Sequence, residues 1–144
     1  MDLLKSEPEL DLDDRRWPIY TRTTVMPPHF IGDSAVTEMS MIAEGCEVYG
    51  TVKGSVLFSG VRIEPGAVVE DSVIMPNSII RAGAVVRRAI VSEHCDISED
   101  SAVGGPEGDI ALIGQDTVLP KGYRVKPGEQ IDNEIIVEKE GGKA

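Results

Sequence analysis

The chain has few residues of the kinds that form disulfides, catalytic dyads or large aromatic cores. Its 144 residues include two cysteines, two histidines and 4% aromatic residues. No apolar run approaches the length that crosses a bilayer, and Met1-Asp2-Leu3-Leu4 does not form a signal peptide. These absences indicate a single cytoplasmic domain and argue against a helical bundle.

Positive charge is also scarce. The chain has 14 lysines and arginines against 25 acidic residues, and its formal net charge is −11. Such a surface repels a phosphate backbone, so nucleic acid is excluded as a partner. Glycine and proline are plentiful, with 15 and 9 residues, which favours short turns between aliphatic segments.

An internal repeat occupies the chain from Leu57 to Gly104. Apolar residues recur six, six and five positions apart, and each position of the pattern returns seventeen residues later. The three columns of anchors are Leu57, Ile74 and Val91; Ile63, Ile80 and Ile97; and Val69, Val86 and Val103. This spacing fits neither a helix nor a plain alternating strand, and it predicts three short strands per coil around one stacked apolar prism.

Two further sets of positions support the same register. The residues four positions after each anchor are expected to be a second inward set: Val61, Ala67, Val73, Ser78, Ala84, Ile90, Cys95 and Ser101. Two columns hold residues that tolerate a positive φ: Gly60, Asn77 and His94, and Gly66, Gly83 and Asp100. These columns are predicted to be corners with left-handed backbone conformation.

The two cysteines fall at inward positions of the same face. Cys46 and Cys95 are predicted to lie three coils apart, which at roughly 4.8 Å per coil is about 14 Å. That separation is too long for a disulfide, so both are expected to be reduced thiols in the core.

The repeat also predicts how the chain is divided. Residues 1–28 are expected to be an interdomain linker, in which Trp17 and Tyr20 cover one end or side of the prism or contact a domain outside this chain. Ile42 to Leu57 is expected to be a coil two residues short. The predicted divisions after the linker are β-helix coils at 29–103, an inserted loop at 104–112, a final coil at 113–131 and a C-terminal tail at 132–144.

Histidine offers little catalytic chemistry. A free-standing hexapeptide-repeat acyltransferase with His94 as the base is one alternative function, but the corner column already explains His94 by backbone tolerance. His29 has no acidic or thiol companion at metal-ligand spacing. A purely structural oligomerisation module is a further alternative.

Three arginines are candidates for an effector site: Arg81, Arg87 and Arg88. A cluster of guanidinium groups binds phosphate through bidentate hydrogen bonds. The seventeen-residue offset also predicts ordinary cross-strand ion pairs for the same side chains, namely Glu64 with Arg81, Glu70 with Lys53 and Arg87, and Asp71 with Arg88. Both interpretations stay open.

Several short segments carry a family resemblance. The hexads I-E-P-G-A-V, I-R-A-G-A-V and I-S-E-D-S-A are similar to those of the left-handed parallel β-helix of hexapeptide-repeat proteins. Trp17–Arg22, Phe30–Gly32 after the double proline, Val52–Leu57, Val69–Ile74 and Arg87–Ile90 are the segments that together resemble the C-terminal region of bacterial glucose-1-phosphate adenylyltransferase.

The resemblance implies an all-β hexapeptide-repeat solenoid that lacks the catalytic part of its enzyme. In that family a nucleotidyltransferase domain makes ADP-glucose from ATP and glucose-1-phosphate with Mg²⁺, and this chain has no comparable Gly-rich loop. No cofactor is expected in the fragment itself. The implied partners are that nucleotidyltransferase domain, other subunits of a tetramer and a sugar-phosphate effector. Glu93 and the Gly104–Asp109 loop depart from the enteric pattern, so activation of the enteric kind is not implied.

Overall fold

A computed structural model describes residues 26–134 and residue 136. Within these residues, eighteen short strands form three parallel sheets of six strands each. Each group of three successive strands makes one coil, so the six coils are numbered in chain order and the sheets form the three sides of a prism, named faces A, B and C. The all-β fold expected from the repeat and the left-handed parallel β-helix implied by the resemblance are confirmed.

The strands are short because each one ends at a corner of the prism. Face A contains β1 (Phe30–Ile31), β4 (Glu47–Val48), β7 (Arg62–Ile63), β10 (Ile79–Ile80), β13 (Asp96–Ile97) and β16 (Val118–Leu119). Face B contains β2 (Val36–Glu38), β5 (Thr51–Lys53), β8 (Val68–Glu70), β11 (Val85–Arg87), β14 (Ala102–Gly104) and β17 (Arg124–Val125). Face C contains β3 (Met41–Ile42), β6 (Val56–Leu57), β9 (Val73–Ile74), β12 (Ala89–Val91), β15 (Ala111–Ile113) and β18 (Gln130–Ile131).

The seventeen-residue register is confirmed. Ile80 pairs with Ile63 on one side and with Ile97 on the other, and all three side chains are fully buried. The short coil is also present, since Ile42 pairs with Leu57. Gly50 permits it, because a Cβ there would lie 2.5 Å from the Ala67 carbonyl oxygen.

The corners follow the predicted columns, and a third column was missed. Asn77 and His94 have φ of 60° and 56° between faces C and A, and the Gly66, Gly83 and Asp100 column is also left-handed. The missed column lies between faces B and C, where Gly54, Asp71 and Arg88 have φ of 56°, 48° and 47°. The seventeen-residue step from Gly54 to Asp71 was the available signal.

The expectation that Val73 and Ile90 point inward is wrong. Ser72 and Ala89 are buried at these corners, while Val73 and Ile90 face outward and are half-buried. The cause is the five-residue step before the face C anchors. The position four residues after the face B anchor is therefore one residue too far along the chain. The inward residue lies two positions before each face C anchor, because side chains alternate along a strand.

The inward serines form a ladder between faces B and C. The Ser72 hydroxyl accepts a hydrogen bond from the Ala89 amide at 3.2 Å and donates to the Glu70 carbonyl at 2.7 Å. The Ser55 hydroxyl accepts from the Ser72 amide at 3.1 Å. Each coil is thereby joined to the next by side chains as well as by strands, and these buried hydroxyls are satisfied.

The cysteines are free thiols inside the prism, as predicted. Cys46 and Cys95 are 1% and 2% exposed, and neither forms a disulfide. Their Sγ atoms lie 3.0 Å and 3.1 Å from the carbonyl oxygens of Phe58 and Gly114. Burial raises the pKa of both thiols above the usual value, because an apolar interior disfavours the thiolate.

Strand β14 ends at Gly104 and β15 begins at Ala111, so an inserted loop separates faces B and C in coil 5. Trp17, Tyr20 and nearly all of the linker expected at 1–28 lie outside the described residues, as does most of the tail expected at 132–144. Among the described residues, no helix has the length and apolar character needed to cross a membrane.

Candidate functional site

Arg81 is held on face A by two carboxylates. Its Nε and Nη2 atoms donate to Asp96 at 3.0 Å and 2.6 Å, and its Nη1 atom lies 3.4 Å from Glu64 Oε1. The hydrogen bond to Asp96 is the main reason that the pKa of Arg81 is raised. Glu64 was the predicted partner, but Asp96 of the next coil provides the closer, bidentate contact.

Arg87 is engaged on face B. Its Nε atom donates to Glu70 Oε2 at 2.8 Å, which is the predicted cross-strand pair. Lys53 was expected to share the same carboxylate, but its Nζ atom instead lies 3.8 Å from Glu38 Oε2. These side chains are a third or more exposed, so each pair contributes little to stability.

Arg88 lies at the corner between faces B and C. Its Nε atom donates to the Gly108 carbonyl of the inserted loop at 3.2 Å. The expected ion pair with Asp71 is not present among the described residues. The Asp71 carboxylate leans the other way, over Gly54, where its Oδ1 atom lies 2.6 Å from the place a Cβ would occupy.

The three arginines therefore do not converge on one unoccupied anion site. Arg81 is on face A, Arg87 on face B, and Arg88 at the next corner. Arg81 borders a shallow depression of about 310 Å³. The other residues lining that depression are Asp96, Ser98, Glu99 and Lys121, so its two cations each have an acidic neighbour.

The histidines take the positions expected from the sequence. His94 is a left-handed corner residue whose amide donates to the Pro76 carbonyl at 3.1 Å. His29 is exposed ahead of the first strand. Among the described residues no three His, Cys, Asp or Glu side chains are grouped to hold a metal ion. The backbone conformation is sufficient to account for His94.

Face C carries a surface that the sequence interpretation missed. Its outward residues in the first five coils are uncharged, with one column of Met41, Val56, Val73, Ile90 and Leu112 and a second of Ala43, Phe58, Met75, Ser92 and Gly114. Met41 and Phe58 are 38% and 40% exposed. The available signal was the apolar residue directly before each face C anchor; the sequence interpretation had placed two of these residues, Val73 and Ile90, inside the prism.

The other two faces differ in charge. On face A one outward column mixes apolar and charged residues, namely Phe30, Glu47, Arg62, Ile79, Asp96 and Val118, so no two apolar residues of it are adjacent. Face B presents a charged column of Glu38, Lys53, Glu70 and Arg87 beside an uncharged one of Val36, Thr51, Val68, Val85 and Ala102, so face C alone is uncharged in both columns over five coils. Contiguous apolar surface bordered by polar corners is typical of an interaction site, so face C is the candidate docking surface of the described residues.

Six stacked coils with left-handed corners define a hexapeptide-repeat β-helix protein. The family model described as "GlmU-like, C-terminal hexapeptide" matches residues 27–111. The chain belongs to this family.

The similar proteins found among curated sequences include glucose-1-phosphate adenylyltransferases. That of Bacillus cereus is 45% identical over 137 residues, which are 95% of this chain and 31% of the relative. That of Acetivibrio thermocellus is 33% identical over 136 residues, or 94% of this chain and 26% of the relative. That of Clostridioides difficile is 49% identical over 67 residues, covering 46% of this chain and 17% of the relative. The chain thus spans at most about a third of these relatives and matches their C-terminal region.

Proposed function

We propose that this chain is the C-terminal regulatory and oligomerisation domain of a glucose-1-phosphate adenylyltransferase, without catalytic activity of its own. The observation that carries the proposal is the coverage. The match includes 95% of this chain but 31% of the Bacillus cereus enzyme. The larger, unmatched part of the relative is then the place for the nucleotidyltransferase chemistry.

The proposal assigns the reaction to the complete enzyme. ATP and glucose-1-phosphate yield ADP-glucose and diphosphate for glycogen synthesis in the cytoplasm, with Mg²⁺ bound by the part that this chain lacks. The domain's contribution is to contact the nucleotidyltransferase part and neighbouring subunits. The uncharged outward surface of face C supports that role, because burying it requires no desolvation of charged groups.

An effector site, if built around Arg81, Arg87 and Arg88, is proposed to need a second domain or subunit. Arg81 and Arg87 already face carboxylates, and Arg88 binds a loop carbonyl. A phosphorylated effector therefore has to displace these contacts or meet additional cations from a partner. We therefore propose that regulation takes place in the assembled enzyme.

Two assays of the purified 144-residue chain test the non-catalytic part of the proposal. We expect no diphosphate release from ATP plus glucose-1-phosphate with Mg²⁺, and no thioester consumption from acetyl-CoA. Diphosphate release that requires both substrates would overturn it. Thioester consumption that is lost in His94→Ala would establish the acyltransferase alternative instead.

A further inference from the structure

In coils 2 to 5, the second outward column of face C changes from large to small side chains. Phe58 and Met75 lie in coils 2 and 3, whereas Ser92 and Gly114 lie in coils 4 and 5. Phe58 is 40% exposed. Beside the small residues lies a hollow of about 300 Å³, lined by Ser92, Leu112, Ile113, Gly114, Gln130, Ile131 and Asp132, so its wall is apolar on one side and polar at the last coil.

A two-fold rotation relates these features to each other. The axis lies between two facing copies of face C, runs parallel to the strands and passes between coils 3 and 4. Each residue column then faces the same column of the other copy, with the coils in reverse order. The rotation sets Phe58 opposite Gly114 of the other copy, and Met75 opposite Ser92. In the first column it sets Val73 opposite Ile90 of that copy. Large residues then face small ones in coils 2 to 5 of the second column, while at its ends Ala43 of one copy is set opposite Asp132 of the other.

We propose that two copies of this chain associate through face C in this antiparallel arrangement, with Phe58 of each copy in the hollow of the other. The inference rests on the oligomerisation part of the proposed function and adds the surface and the contacts. Packing of one flat sheet face on another at about 10 Å is an established way to bury apolar side chains. A symmetric dimer needs a self-complementary patch, and face C is one.

Charge at the corner agrees with the same rotation. The axis sets Arg88 of coil 4 opposite Asp71 of coil 3 in the second copy, and the symmetry repeats this pair. Within one copy the two side chains lean apart, toward Gly108 and Gly54.

The other faces are less suited to this arrangement. On face A the same rotation would set Glu47 of coil 2 opposite Asp96 of coil 5, which are like charges. Face B would have to bury the Arg87 and Glu70 ion pair. The face C footprint, roughly 24 Å by 10 Å, is smaller than a standard interface, so we expect a weak dimer.

Sedimentation velocity of the complete chain at about 0.15 M salt tests the proposal, because that salt screens the repulsion between two acidic copies. From about 10 µM to about 1 mM we expect a concentration-dependent dimer. Phe58→Glu is expected to raise the dimer Kd at least tenfold, with Met75→Glu as a second variant. Phe30→Glu is the matched control, since Phe30 is more exposed, at 55%, but lies on face A.

A charge-reversal cycle tests the orientation. Arg88→Asp and Asp71→Arg are each expected to raise the dimer Kd, and the double variant is expected to restore it to within about threefold of wild type. A monomer at all concentrations, equal effects of Phe58→Glu and Phe30→Glu, or no restoration in the double variant would each overturn the proposal. A dimer that forms only after removal of residues 1–25 would also overturn it. None of these outcomes alters the diphosphate and thioester assays, so the two proposals fail separately.

Discussion

At the scale of single residues, the prism depends on aliphatic anchors that touch their equivalents in the coils on either side. Ile80 is fully buried between Ile63 and Ile97. A charge at this position has no water and no ion partner within the prism, so burying it would destabilise the folded state relative to the unfolded chain.

Ile80→Asp is expected to unfold the chain or to lower its free energy of unfolding by more than about 4 kcal/mol. Val68→Asp is the control, because Val68 faces outward on face B and the same substitution should cost about 1 kcal/mol or less there. Urea titration followed by circular dichroism measures both. Equal losses in the two variants would mean that the inward and outward positions are wrongly assigned.

His94 and Asn77 share a corner at which the backbone itself requires a positive φ. His94→Gly and Asn77→Gly are therefore expected to change the free energy of unfolding by no more than about 1 kcal/mol, in either direction. Thermal unfolding of the two variants beside wild type checks this. A larger loss in His94→Gly would indicate that the imidazole has a role beyond its conformation.

At the scale of elements, neighbouring coils are joined at one corner by serine hydroxyls. Ser72 accepts from the Ala89 amide and donates to the Glu70 carbonyl, and it is 1% exposed. Ser72→Ala leaves the buried Ala89 amide without an acceptor, so we expect the free energy of unfolding to fall by about 1–3 kcal/mol. Ser92→Ala, at a half-buried outward position of face C, is the control and should be near neutral. If chemical denaturation shows no difference between the two variants, the serine hydrogen bonds do not contribute measurably to stability.

Most strand and corner positions, but not all, could be predicted from the sequence. The anchors and two corner columns were predictable because each occupies a fixed place in a seventeen-residue repeat. Val73 and Ile90 were misplaced because one step of the repeat is five residues long, which shifts the alternation of side chains at that corner. Glu64 was predictable as a partner of Arg81, but Asp96 as its closer partner and the Gly108 carbonyl as the partner of Arg88 were not. These two contacts depend on which neighbouring coil a long side chain leans toward, and Asp96 and the Gly108 carbonyl both lie on the following coil.

At the scale of the whole molecule, the charges on faces A and B are largely paired within the chain. The isolated domain is therefore expected to bind fructose-1,6-bisphosphate, 3-phosphoglycerate or sulfate with a Kd of about 1 mM or weaker, equivalent to roughly −4 kcal/mol. Isothermal titration calorimetry measures this, with Arg88→Ala beside wild type. Micromolar binding that disappears in Arg88→Ala would show a preformed effector site within this chain.

As the proposed C-terminal domain of a longer enzyme, this chain should be interchangeable with the matching part of a relative. The direct measurement is a chimaera in which the matching C-terminal part of the Bacillus cereus glucose-1-phosphate adenylyltransferase, 45% identical to this chain, is replaced by residues 1–144. ADP-glucose formation by the chimaera is compared with that of the intact enzyme and of the same enzyme truncated before this part. We predict that the chimaera is soluble and forms ADP-glucose at a rate well above that of the truncated enzyme. A chimaera that folds but is no more active than the truncated enzyme would contradict the assignment.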